Sequence, residues 1–111
     1  MIKGTLRILS LEDVEEDFYL ITRTLKKAGI DFTARRVDTK EDFEEALDAL
    51  DVDVILCDHS LPQFNSHDAL EIFLQRELQI PFILVTGAVS EEFAVSCLKL
   101  GADDYVLKSN L

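Results

Sequence analysis

The feature that most constrains this chain is an alternation of short apolar runs with segments of helical periodicity. Thr5–Leu11 reads as a strand. Val14, Phe18, Ile21, Leu25 and Ala28 then recur at steps of four and three, one face of a helix. Lys26 and Lys27 fall in its last turn, and Gly29 is a natural stop. Phe32–Val37 is a more polar strand, suited to a sheet edge. Thr39 with Asp42 resembles a capping box and opens a helix with Phe43, Ala46, Leu47 and Leu50 inward. Val52–Cys57 is nearly all apolar, as expected of a strand buried on both faces. Asp58–Ser66 reads as a loop broken by Pro62, with Ser66 capping a helix that carries Leu70, Phe73 and Leu74. Pro81 introduces the apolar strand Phe82–Val85. Ser90 starts a helix with Ala94, Cys97 and Leu98 inward, Gly101 stops it, and Asp104–Leu107 is the last strand.

Strands separated by single helices favour parallel pairing with right-handed crossovers, hence an α/β, doubly wound, five-stranded parallel sheet. The 111 residues suffice for one compact domain, and 48% hydrophobic content suits a globular core. With 22 Asp+Glu against 11 Lys+Arg, the formal charge is 11 − 22 = −11. That balance argues against nucleic acid as a direct ligand and permits a divalent cation or a basic partner. No apolar run approaches the ~20 residues that span a bilayer, and Met1–Ser10 lacks the apolar stretch of a signal peptide. A cytoplasmic location is the expectation. Cys57 and Cys97 sit among apolar neighbours and read as small buried hydrophobes rather than a disulfide or metal site.

Doubly wound folds place their sites beyond the C-terminal ends of the strands. Glu12 and Asp13 follow the first strand, Asp58 the third, Thr86 and Gly87 the fourth, and Lys108 the fifth. Three carboxylates crowded on one rim repel one another unless a cation neutralises them. Hard carboxylate oxygens suit Mg²⁺. An ionised carboxylate can attack phosphorus and form an aspartyl phosphate. Mg²⁺, Lys108, the Thr86 hydroxyl and backbone N–H groups could then stabilise the phosphoryl oxygens.

From Leu6 to Leu111 the sequence resembles the response-regulator receiver domains of two-component signalling. The carriers are Ile8-Leu9-Ser10-Leu11-Glu12-Asp13, Asp58-His59-Ser60-Leu61-Pro62, Val85-Thr86-Gly87 and Gly101-Ala102-Asp103-Asp104-Tyr105-Val106-Leu107-Lys108. The resemblance implies a flavodoxin-like strand order 2-1-3-4-5. It implies Asp58 as phosphoacceptor, with Asp13, Asp58 and the Ser60 backbone carbonyl on Mg²⁺ and Glu12 acting mainly through water. Thr86 and Lys108 would hold the phosphoryl oxygens, and Tyr105 would be the aromatic that turns inward when Thr86 moves. It further implies a histidine kinase or phosphotransfer protein as donor, and a homodimer or partner surface on the fourth helix and fifth strand. Such a domain catalyses only its own phosphorylation and dephosphorylation.

The sequence departs from the family pattern at three places. Ser66 stands where glycine is usual; a left-handed backbone there would strain serine, and Asn65 is the alternative place for the turn. Ser109 replaces the common proline after the lysine, where a cis peptide is frequent. Only Ser109–Leu111 follow the fifth strand, so a fifth helix is missing or truncated. The expectation is a piece of a longer protein, with apolar sheet surface left open beside the first helix. Glu15, Glu16, Asp17 and the acidic run Glu41–Asp53 read as solvated faces, and His59 and His67 as loop residues. The competing reading is a receiver-like interaction domain independent of phosphate. An aspartate-nucleophile phosphohydrolase would want a second aspartate where Ser60 stands, and a flavin mononucleotide site would want an uncharged phosphate loop in place of Leu11-Glu12-Asp13.

Overall fold

A computed structural model describes residues 4–49, 51–58, 64–87 and 91–111 of the chain. The strands are β1 (Leu6–Leu11), β2 (Phe32–Val37), β3 (Val54–Cys57), β4 (Phe82–Thr86) and β5 (Asp104–Leu107). The helices are α1 (Glu15–Lys27), α2 (Lys40–Asp48), α3 (Ser66–Gln75) and α4 (Glu91–Leu100), and Lys108–Asn110 form a short 3₁₀ turn. All pairings are parallel, in the order β2-β1-β3-β4-β5. The polar strand β2 is indeed an edge strand.

One face of the sheet carries a closed core. Leu9, Leu11, Ile55, Cys57, Phe82 and Leu84 pack with Phe43 and Leu47 of α2, Leu70 and Phe73 of α3, and Cys97 of α4. The other face is covered less completely. There β3 shows only half-buried Val54 and Leu56 between buried Ile55 and Cys57, so it is not enclosed on both sides. Leu56, Ile83, Val85 and Val106 join Ile21 and Leu25 of α1 and Leu111 in an apolar groove of about 160 Å³.

Local chemistry sets the helix ends. The Thr39 hydroxyl accepts from the Asp42 N–H, the first half of the expected capping box. The cap of α3 is Asn65, whose side chain accepts from the Asp68 N–H, and not Ser66, which is buried as the first helical residue. Neither has a positive φ, so the turn needs no glycine. No cis peptide occurs among the described residues. Val14, expected on the inner face of α1, is its extended N-cap and is exposed, because a cap lies outside the helical periodicity. Ala28, the last member of that stripe, is exposed as the C-cap. Leu98 is exposed too; Ala94 and Cys97 make the inward stripe of α4. Leu74 leans outward over Gly101, where a Cβ would stand 2.9 Å from Leu74 Cδ2. The expected positions Leu50, Pro62 and Ser90 lie outside the described residues.

Candidate metal and phosphoryl site

Strand register brings the acidic groups together. Leu11 pairs with Cys57, and the next step of the ladder runs from the Asp58 N–H to the Leu11 carbonyl at 2.9 Å. Glu12 and Asp58 therefore leave adjacent strands side by side. The Glu12 N–H is tied to the Val37 carbonyl at 2.9 Å, and Arg36 Nη1 donates to the Glu12 carbonyl at 3.1 Å. Arg36 also lies 3.7 Å from both Glu15 and Asp38. The loop after β1 is thus fixed by the edge strand. On the far side Thr86 pairs with Leu107, which sets Lys108 one step beyond β5.

Glu12 and Asp58 are buried and Asp13 is half-buried. One carboxylate oxygen from each lies within 4.8 Å of the others. Asp13 Oδ1 is buried with no hydrogen-bond partner, which is costly unless a ligand satisfies it. A buried acceptor without a donor, beside two more carboxylates, fits a small hard cation. Lys108 supplies positive charge to the same cluster. Its Nζ lies 2.6 Å from Glu12 Oε1, 2.8 Å from Asp17 Oδ2 and 3.4 Å from Asp58 Oδ2. Burial, with the nearby Asp58 charge, outweighs the lowering bond to Lys108 and leaves the Glu12 carboxyl raised to about 7. For Lys108, burial acts to lower its pKa. The bonds to Asp17 and Glu12, with the charge of Asp58, outweigh burial and hold it above its usual value.

Of the residues expected at the site, the structure brings together Glu12, Asp13, Asp58 and Lys108. Ser60, His59 and the Thr86 side chain lie outside the described residues. Tyr105 lies two residues inside the end of β5 and is 37% exposed. Asp17, expected on a solvated face, is instead half-buried on Lys108. The sequence carried no signal for this contact, because it depends on β5 delivering Lys108 to the first turn of α1. Other acidic residues read as solvated are also paired. Arg76 bonds Glu44 and Asp48, clamping α3 to α2, and Arg7 bonds Asp53. Arg36 had no sequence signal, because its role depends on β2 lying next to β1. His67 belongs to the first turn of α3 rather than to a loop. Cys57 and Cys97 are free and buried, as expected, and burial raises the Cys57 thiol well above its usual value.

The model of the response regulator receiver domain family matches residues 8–110. The chain belongs to that family. It is 32% identical over 102 residues to the response regulator SaeR of Staphylococcus aureus, covering 90% of this chain and 43% of SaeR. The chain therefore spans less than half the length of that curated relative. Among solved structures, a response regulator from Hahella chejuensis matches with a TM-score of 0.81 at 26% identity, covering 96% of this chain and 82% of that one. The BeF3-activated N-terminal receiver domain of Klebsiella pneumoniae RstA matches with a TM-score of 0.76 at 28% identity, covering 93% and 86%. The receiver fold with strand order 2-1-3-4-5 is thereby established, with four α-helices among the described residues. Receiver domains are signalling modules rather than turnover enzymes, and they bind Mg²⁺ at an acidic pocket, which the Glu12–Asp13–Asp58 cluster matches. No described helix is long and apolar enough to cross a membrane.

Proposed function

We propose that this domain takes a phosphoryl group on Asp58 from a histidine kinase or phosphotransfer protein and uses it to switch a partner-binding surface. The observation that carries this reading is the convergence of Asp58, Glu12 and Asp13 around one point, with the Lys108 ammonium 3.4 Å from Asp58. An Asp58 carboxylate oxygen attacks phosphorus and forms the new O–P bond. The donor's bond to phosphorus breaks, and its electron pair leaves with the donor imidazole. Asp13 and Asp58, with the Ser60 carbonyl, would hold Mg²⁺, and Glu12 would act on it mainly through water. The ion supplies neutralisation of the phosphoryl oxygens. Lys108 and the Thr86 hydroxyl bind the remaining oxygens, and Lys108 offsets the charge that arrives.

The output is a shift between two packings. A new anion at Asp58 draws Thr86 toward it, and Tyr105 turns into the space released behind β4. The surface that responds is α4 and β5, where Val95, Leu98, Leu100 and Tyr105 are exposed. It serves a partner or a second copy of the domain. Intact mass after phosphoramidate treatment with Mg²⁺ tests the first step. Wild type should gain one phosphoryl group, and both chelator and Asp58→Asn should abolish the gain. A gain that persists in Asp58→Asn contradicts the assignment. No gain in wild type from either phosphoramidate or acetyl phosphate would favour a phosphate-independent interaction domain.

A further inference from the structure

We infer that Asp17 is a positioning residue of this site: it restrains Lys108 on the α1 side and thereby trades phosphoryl affinity for Mg²⁺ affinity. The inference rests on the phosphoacceptor reading of Asp58. An ammonium has three donors and no acceptor. Here Glu12 and Asp17 are its near partners, at 2.6 and 2.8 Å, and Asp58 is the far one at 3.4 Å. Glu12 follows β1 and Asp58 follows β3, so both are fixed by the sheet. Asp17 belongs to α1, and it is the partner that pulls Lys108 away from the sheet. Its side chain is 37% exposed, against 1% for Glu12 and 7% for Asp58, so it can swing into water when the bond breaks.

The consequences have opposite signs for the two ligands. A phosphoryl group on Asp58 needs a Lys108 donor and its full positive charge. Asp17 occupies one donor and offsets part of that charge, which weakens the phosphoryl contact. Mg²⁺ is a cation that competes with Lys108 for Glu12 and Asp58. By holding Lys108 toward α1, Asp17 leaves the Asp58 carboxylate freer for the ion, and its own negative charge adds attraction. Replacing Asp17 by a neutral residue therefore releases Lys108 toward Asp58.

The test uses Asp17→Asn, with Asp17→Ser as a second neutral variant and Asp17→Glu restoring the charge. Mg²⁺ affinity is read from amide shifts, then beryllofluoride affinity at saturating Mg²⁺, with a thermal melt for each protein. Both neutral variants should bind Mg²⁺ several-fold more weakly and beryllofluoride several-fold more tightly, and Asp17→Glu should return both constants toward wild type. A merely structural role for Asp17 would move both constants down together with the melting temperature. That outcome, or unchanged constants, overturns the inference while leaving the phosphoacceptor reading intact. A wild type that takes up no beryllofluoride overturns both.

Discussion

Replacing Lys108 by methionine keeps the length of the side chain and removes the ammonium that joins Glu12, Asp17 and Asp58. Lys108 is 10% exposed and Glu12 1%, so the change leaves a buried carboxylate without its cation. Losing one partner of a buried pair costs about 3–5 kcal/mol when the remaining charge has no outlet. Glu12 has one, because burial already raises its carboxyl to about 7 even with Lys108 present. Without Lys108 that value moves higher, and the group takes a proton rather than remain charged. The sign follows from linkage. Glu12 loses its proton at about 4.5 when unfolded and later when folded, so its ionisation opposes folding as pH rises. Below about 4.5 it is protonated in both states of both proteins, and its share of the difference vanishes. In wild type the penalty stops growing near 7. In Lys108→Met it continues at about 1.4 kcal/mol per pH unit until the new, higher pKa is passed. From about pH 7 to about pH 8.5 that adds up to roughly 2 kcal/mol to whatever the variant loses in acid. Urea denaturation followed by far-UV circular dichroism, with chelator at about pH 5.5 and about pH 8.5, measures it. An equal loss at both pH values, or none at either, would refute the view that Lys108 carries the charge of Glu12.

Asp13→Asn should weaken Mg²⁺ binding at least about tenfold, since a formal charge leaves a hard-cation site; titration followed by amide shifts measures it, and an unchanged constant removes Asp13 from the site. Asn65→Ala should cost about 1 kcal/mol in chemical denaturation through loss of the α3 cap, whereas no loss would show that the Asp68 N–H finds water just as well. Phe43→Ala should cost about 3–5 kcal/mol, because the ring is fully buried between the sheet and Phe64. Beryllofluoride with Mg²⁺ should shift the amides of β4, α4 and Tyr105 far more than those of α2; shifts confined to the rim would mean that phosphate is bound without being relayed.

The layers of this fold are legible because their residues repeat a simple period. Ile8–Leu11 (apolar but for Ser10), Ile55–Cys57 and Phe82–Val85 form runs that suit a central strand, and Phe43, Ala46 and Leu47 mark one helical face. The crossover rule then places Glu12, Asp58 and Lys108 on one rim before any distance is known. What escapes such reading is pairing between elements. Asp17 looks like one more acidic residue in a helix's first turn until β5 delivers Lys108 to it. Arg36 looks like an exposed edge-strand residue until the turn after β1 presents a carbonyl. Val14 has the right spacing for the inner face and misses it, because the backbone there is still extended. Leu74 has the right spacing too, and instead bends over Gly101, a contact set by where α4 ends.

The most direct test of the account is where the phosphoryl group goes. An acyl phosphate is reduced by borohydride to an alcohol, so a phosphorylated aspartate becomes homoserine and is located by peptide mass spectrometry. After phosphoramidate and Mg²⁺, the account predicts homoserine at position 58 and none there in the chelator control. Homoserine at position 13, or a modification that survives chelation, would contradict the assignment of Asp58 as the nucleophile and Asp13 as a ligand of the ion.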